Sequence, residues 1–314
     1  MNKRIQILRG IAIVAVVMIH TCAKGMLGVM IRPLLNFSVA LFIFLSGYLT
    51  SIKKSNNYNT RKRRIKKVLI PYIIWSIIYT VATGKYKEFI FNILTGRCCG
   101  IYYFIFVYIQ FVILTPLIIK LLESKYKILG FLITPLTFIC VRYPLEIMGI
   151  SFPLEILFIS WFIYYYLGLI YGNKLIDIKI SQVKLYVIFF FLLFLQSIEG
   201  LVWNSYGNHN MATSQLKLTN CFSSTFFCII CVRYIQNSDY IKENLINNTM
   251  FFLGNVSFGI YLSHILVIMV CNKLDFIGIM DIFPLNSLLI IIITVFCILI
   301  GKKILKQYSK YLGL

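Results

Sequence analysis

The sequence predicts an all-α, polytopic membrane bundle of about ten spans, and three observations carry that prediction. Of the 314 residues, 60% are hydrophobic and only 13% charged, whereas a soluble domain is about half apolar and a quarter charged. The apolar residues fall in long runs, as a helix crossing about 30 Å of hydrocarbon requires. Inside hydrocarbon every backbone N–H and C=O must be paired within its own segment, so such runs are helices. The basic residues lie between the runs, where orientation signals belong.

Apolar runs against polar breaks give candidate spans at 5–26, 33–52, 68–83, 101–119, 128–141, 155–172, 184–200, 216–234, 250–272 and 284–301. The fifth is short and interrupted by Pro135, which suggests a tilted or re-entrant segment. With a cytoplasmic N-terminus and a crossing at every run, 22 of the 31 lysines and arginines face the cytoplasm. Eight (Lys24, Arg32, Lys85, Lys87, Arg97, Arg142, Lys217 and Lys273) face outward, and Arg9 lies inside the first run. This bias predicts that both termini are cytoplasmic.

The net charge of +21 sits in inter-span segments and forms no solvated basic domain, so no nucleic-acid partner is expected. Nine cysteines lie mostly within predicted helices without a C-x-x-C pattern, and Cys98–Cys99 has no metal-ligand spacing. No metal site is expected. The first run lacks a small-residue cleavage pattern, which predicts that it is retained as a span. Without a linker or internal repeat, residues 1–314 read as one integral membrane domain. The polar stretch Trp203–Gln215 reads as an external loop suited to a polar substrate.

The first span carries the chemistry. Arg9 and His20 are eleven residues apart, close to three whole helical turns, so they project from one face about 16 Å apart. A charge within a span costs about 2.5–3.5 kcal/mol on insertion scales and usually serves a purpose. Position alone also fits an Arg9 that snorkels to the inner headgroups.

The stretch RGIAIVAVVMIH, Arg9 to His20, resembles the signature of the acyltransferase-3 family of integral membrane acyltransferases. FIFLSGYL (Phe42–Leu49), RKRRIKKVLIPYIIW (Arg61–Trp75), YYFIFVYIQFVILTPLI (Tyr102–Ile118), WFIYYYLGLIYG (Trp161–Gly172) and NVSFGIYLSH (Asn255–His264) are similar to later family segments and in the same order. The compact form looks most like the surface-polysaccharide O-acyltransferase branch. That resemblance implies an enzyme of the cytoplasmic (inner) membrane that moves an acyl group, most simply acetyl, from cytosolic acyl-CoA to a hydroxyl of a cell-surface or lipid-linked glycan. Acyl-CoA is then a donor substrate rather than a resident cofactor. The expected partners are the glycan acceptor, the bilayer and glycan-assembly proteins, one of which could receive the acyl group.

Acyl transfer to a hydroxyl needs a base or nucleophile, an oxyanion stabiliser and a grip on the donor. A neutral imidazole takes a proton near pH 7, so His20 suits general base or transient acyl carrier. Arg9, which stays charged when buried, suits the donor end. His264 lies at nearly the depth of His20 and reads either as its partner or as a core histidine bonded to a neighbouring carbonyl. Either Glu155 or Glu199 could orient His20, or each could be a solvated span end. Arg63, Arg64 and Lys67 could draw the phosphates of CoA, although topology alone accounts for basic residues there. Tyr102, Trp161 and Glu155 are candidate sugar contacts, and interface belts explain such aromatics equally well. The rival function is a transporter or permease for a small polar substrate such as an amino acid, or for acyl groups used by a partner enzyme. There Arg9 and His20 would line a path and catalyse nothing.

Overall fold

A computed structural model describes residues 2–23, 25–55, 57–238, 240–274 and 278–314. The described chain is an all-helical membrane bundle. Its main segments are α1 (Lys3–Thr21), α2 (Gly25–Tyr48), α3 (Tyr58–Thr83), α4 (Phe89–Glu123) and α5 (Leu129–Ile147). After these come α6 (Phe158–Gly172), α7 (Gln182–Ser205), α8 (His209–Gln236), α9 (Leu245–Asn255), α10 (Ser257–Lys273) and α11 (Leu285–Leu312).

Among the described residues eight of these helices (α1–α5, α7, α8 and α11) are long and apolar enough to cross a membrane. The pair α9–α10 makes a ninth if its 82° bend is one broken span. The sequence predicts a span at 155–172, and the structure puts the shorter helix α6 there. In the fifth segment the helix continues through Pro135 and passes into a π-turn at Phe138–Arg142.

Local chemistry sets the helix ends. The Asn2 side chain accepts from the Arg4 N–H and starts α1, and Asn57 accepts from Asn59 and Thr60 at the head of α3. Gly84, at φ 70°, closes α3 in the left-handed conformation that glycine adopts without cost.

Two close helix crossings organise the bundle. A Cβ on Gly10 of α1 would lie 2.0 Å from the Met250 carbonyl of α9, and one on Gly254 would lie 1.9 Å from the Gln6 carbonyl. The second crossing joins α2 and α6 through Gly47, Gly168 and Gly172, with backbone of the facing helix equally near. Lipid tails are as apolar as leucine, so membrane helices gain little by hiding apolar surface from each other. Close packing of small residues holds them together instead. Between the crossings α1 is pressed against α2 and α10, with Ala12, Val17, Ala40, Phe44 and Leu262 fully buried. Its far end is tied down by Thr21, whose hydroxyl bonds that of Ser287 (2.6 Å) and whose carbonyl accepts from Asn286 (2.8 Å).

Three of the eight charges expected on outward loops are internal. Arg32 and Arg142 line a cavity and Lys217 is fully buried, donating to the Ala212 carbonyl at 2.7 Å. Lys24, another of the eight, lies outside the described residues.

Candidate functional site

A cavity of about 970 Å³ runs through the bundle beside α1. Arg9 and His20 both line it, as their spacing on one helical face requires. His20 is exposed to this cavity. The helix α1 is continuous from Lys3 to Thr21, with no Pro between the two residues, so their axial offset is fixed at about 16 Å.

The Arg9 end is strongly basic. Arg64, Lys67 and Lys310 line it. Arg64 is held in place by donation to the Thr50 hydroxyl (2.9 Å) and by its position over the Tyr108 ring, 5.7 Å from the centroid. Arg63 turns the other way, into a separate basic groove shared with Lys62, Lys66, Lys67 and Lys310. Adjacent residues on a helix point about 100° apart, and here that step puts Arg64 on the cavity and Arg63 on the groove.

At the His20 end the wall is made by Arg32, Tyr103, Arg142, Glu155, Trp161 and Gln215. The segment bearing Glu155 and Trp161 is braced by Gln110 of α4, which donates to the Ile156 carbonyl (2.7 Å) and accepts from the Phe158 N–H (3.0 Å). The Trp161 indole N–H donates to the Glu155 carbonyl (3.0 Å), and its ring stacks on Tyr103 with centroids 5.9 Å apart and planes 17° apart. Of the neighbours Tyr102 and Tyr103, it is therefore Tyr103 that lines the cavity. Tyr102 is fully buried against Tyr72 and Tyr79 behind it. The polar stretch expected as an external loop does reach the site, through Ser214 and Gln215.

His264 lies behind His20, ring centroids 5.4 Å apart and planes 50° apart. It is fully buried. Its Nδ1 lies 2.9 Å from the Ile260 carbonyl. A carbonyl only accepts, so the proton of a neutral His264 sits on Nδ1 and leaves Nε2 a bare acceptor. That Nε2 has no hydrogen-bond partner. Neither candidate carboxylate bonds His20 among the described residues. Glu199 is engaged elsewhere, accepting from the Tyr143 hydroxyl (2.6 Å) and from the Thr219 hydroxyl.

Arg32 escaped the sequence reading, which counted it as a loop charge. Its Nη1 donates to the Ile19 carbonyl (3.3 Å) and its Nε to Asn36 (3.2 Å). A basic residue followed by Pro33 between two apolar runs was the available signal.

Curated relatives include a probable poly-beta-1,6-N-acetyl-D-glucosamine export protein from Staphylococcus aureus strain MRSA252, 27% identical over 271 residues, covering 76% of this chain and 71% of the relative. The proteins of the same description from strains MSSA476 and N315 match with the same identity and coverage. No solved structure matches the chain significantly. Residues 2–302 match the family Acyl_transf_3, described as an acyltransferase domain. That match takes in every residue on the cavity between Arg9 and Trp161, so the chain, a multi-pass membrane protein, belongs to the acyltransferase-3 family.

Proposed function

We propose that residues 1–314 form one membrane O-acyltransferase domain that moves an acyl group from cytosolic acyl-CoA to a hydroxyl of a surface or lipid-linked glycan. The observation that carries this reading is one cavity linking a basic end, at Arg9, Arg64, Lys67 and Lys310, to the imidazole of His20. CoA brings several phosphate charges, which guanidinium and ammonium groups bind strongly. The offset along α1 is comparable to an extended pantetheine arm, so a donor held near Arg9 could present its thioester at His20. His20 takes the hydroxyl proton, and the bare Nε2 of His264 can accept an N–H from the His20 ring and orient it. Glu155, Trp161 and Tyr103 form the sugar side, where a stacked aromatic pair beside a carboxylate suits an apolar ring face and its hydroxyls.

The membrane reading is ten spans with both ends of the chain cytoplasmic, α6 completing the set within the bundle. Turning Arg32, Arg142 and Lys217 inward removes charges from the outer loops and sharpens the bias that sets this orientation. The relatives are described as probable poly-beta-1,6-N-acetyl-D-glucosamine export proteins, which supports a glycan acceptor and keeps export as the second reading.

The test is transfer of label from radiolabelled acetyl-CoA to glycan or lipid-linked sugar in membranes. Wild type should label the acceptor, and at matched expression His20→Ala and Arg9→Ala should each lower that by about 100-fold or more. Movement of glycan across the membrane without any acyl donor would favour the export reading. Equal labelling by all three proteins would remove Arg9 and His20 from the mechanism.

A further inference from the structure

Acyl transfer at His20 lacks one component in the reading above. When the acceptor hydroxyl oxygen attacks the thioester carbon, a C–O bond forms and the carbonyl π electrons move onto oxygen. The hydroxyl proton passes to His20. Collapse of that oxyanion re-forms C=O and breaks C–S, and the departing thiolate takes the proton back from His20. Negative charge develops on oxygen in the transition states that flank this oxyanion, and a preorganised cation or donor there is usually the largest single electrostatic contribution. Arg9 is about three helical turns away and cannot serve as both donor grip and oxyanion partner.

We propose that Arg32 stabilises this oxyanion, an assignment that rests on the acyl-transfer reading. Four observations support it. First, Arg32 lines the same cavity as His20, and its Nη1 is anchored on the carbonyl of Ile19, the residue before His20, at 3.3 Å. Second, among the described residues only two of the five guanidinium N–H groups are used, toward Ile19 and Asn36. Third, neither ion pair among the described residues involves Arg32, so its charge is not cancelled. Arg142, the other guanidinium at this end, is paired with Glu146 at 3.0 Å. Fourth, the anchor is rigid. Asn36 is fully buried and itself donates to the Ser214 carbonyl at 3.2 Å, so the guanidinium is set before substrate arrives. The competing role, capping a free carbonyl near the end of α1, uses one N–H and needs no charge.

Arg32→Gln keeps an N–H donor for the Ile19 carbonyl and removes the charge, while Arg32→Lys keeps the charge and loses the planar fork. With purified protein in nanodiscs, acetyl-CoA and the glycan acceptor, kcat should fall about 100- to 1000-fold in Arg32→Gln. KM for both substrates should stay within a few-fold of wild type, and Arg32→Lys should lie between the other two. Equal rates for Arg32→Lys and Arg32→Gln would overturn the assignment, since charge would not then matter. A raised acceptor KM with unchanged kcat would overturn it in favour of an anionic acceptor bound at Arg32. If Arg32→Gln fails to fold, Arg32→Lys decides alone: a kcat equal to that of wild type overturns the assignment, and a fall at constant KM supports it. An active wild type with unaffected variants sinks only this assignment, whereas a wild type that transfers nothing sinks the acyl-transfer reading as well.

Discussion

Replacing Gly168 by leucine is expected to abolish accumulation of folded protein. A Cβ there would meet the Phe44 carbonyl at 2.2 Å and the Tyr48 nitrogen at 2.7 Å, both backbone atoms of α2 that no side-chain rotation can move. Gly172, one turn on, faces Tyr48 O at 2.0 Å, so α6 cannot slide along α2 to escape. Overpacking a yielding core costs about 1–3 kcal/mol; this crossing is backbone on backbone and should exceed that range. It carries the Trp161 end of the cavity wall, so even a surviving fold would misplace Trp161. The contrast is Gly100→Ala, where nothing lies within 4 Å of the added Cβ. Size-exclusion profiles of detergent extracts should show a normal peak for Gly100→Ala and none for Gly168→Leu. A normal peak for both would mean that α2 and α6 do not cross as described.

The second large effect is expected at His264. Phenylalanine fills similar space and removes only the two nitrogens. The Ile260 carbonyl loses one partner yet keeps its place in the α10 ladder. What disappears is the bare Nε2 beside His20. If that nitrogen orients and shares charge with the His20 imidazole, His264→Phe should lower kcat by about 100-fold while leaving the acyl-CoA KM unchanged. Residues acting as one unit are not additive, so adding His264→Phe to His20→Ala should cost little more than His20→Ala alone. Independent, multiplying effects would make His264 a core histidine that merely packs.

What the sequence revealed depended on how local each cause is. The Arg9–His20 face follows from 3.6 residues per turn and needs no tertiary knowledge. The apolar runs likewise set the helices. Where the outcome depended on one step of phase, the reading slipped. Tyr102 and Tyr103 are neighbours, and a 3-10 turn at Gly100–Tyr102 decides that the second faces the cavity. Arg63 and Arg64 part for the same reason. Arg32 was illegible because its role comes from a contact thirteen residues back along the chain, and the π-turn after Pro135 brings Arg142 inward in the same non-local way.

The uninterrupted α1 has a consequence for variation among related chains. One residue inserted between Arg9 and His20 would turn the imidazole by about 100° into the α1 neighbours and lengthen the span by 1.5 Å. Only additions near a whole turn would restore the direction, and each would move the imidazole about 5 Å off the level of His264. The segment 11–19 should therefore tolerate many apolar substitutions, and the whole of 10–19 no change of length. In alignments of functional relatives it should appear as a gapless block, even where the loops on either side vary freely.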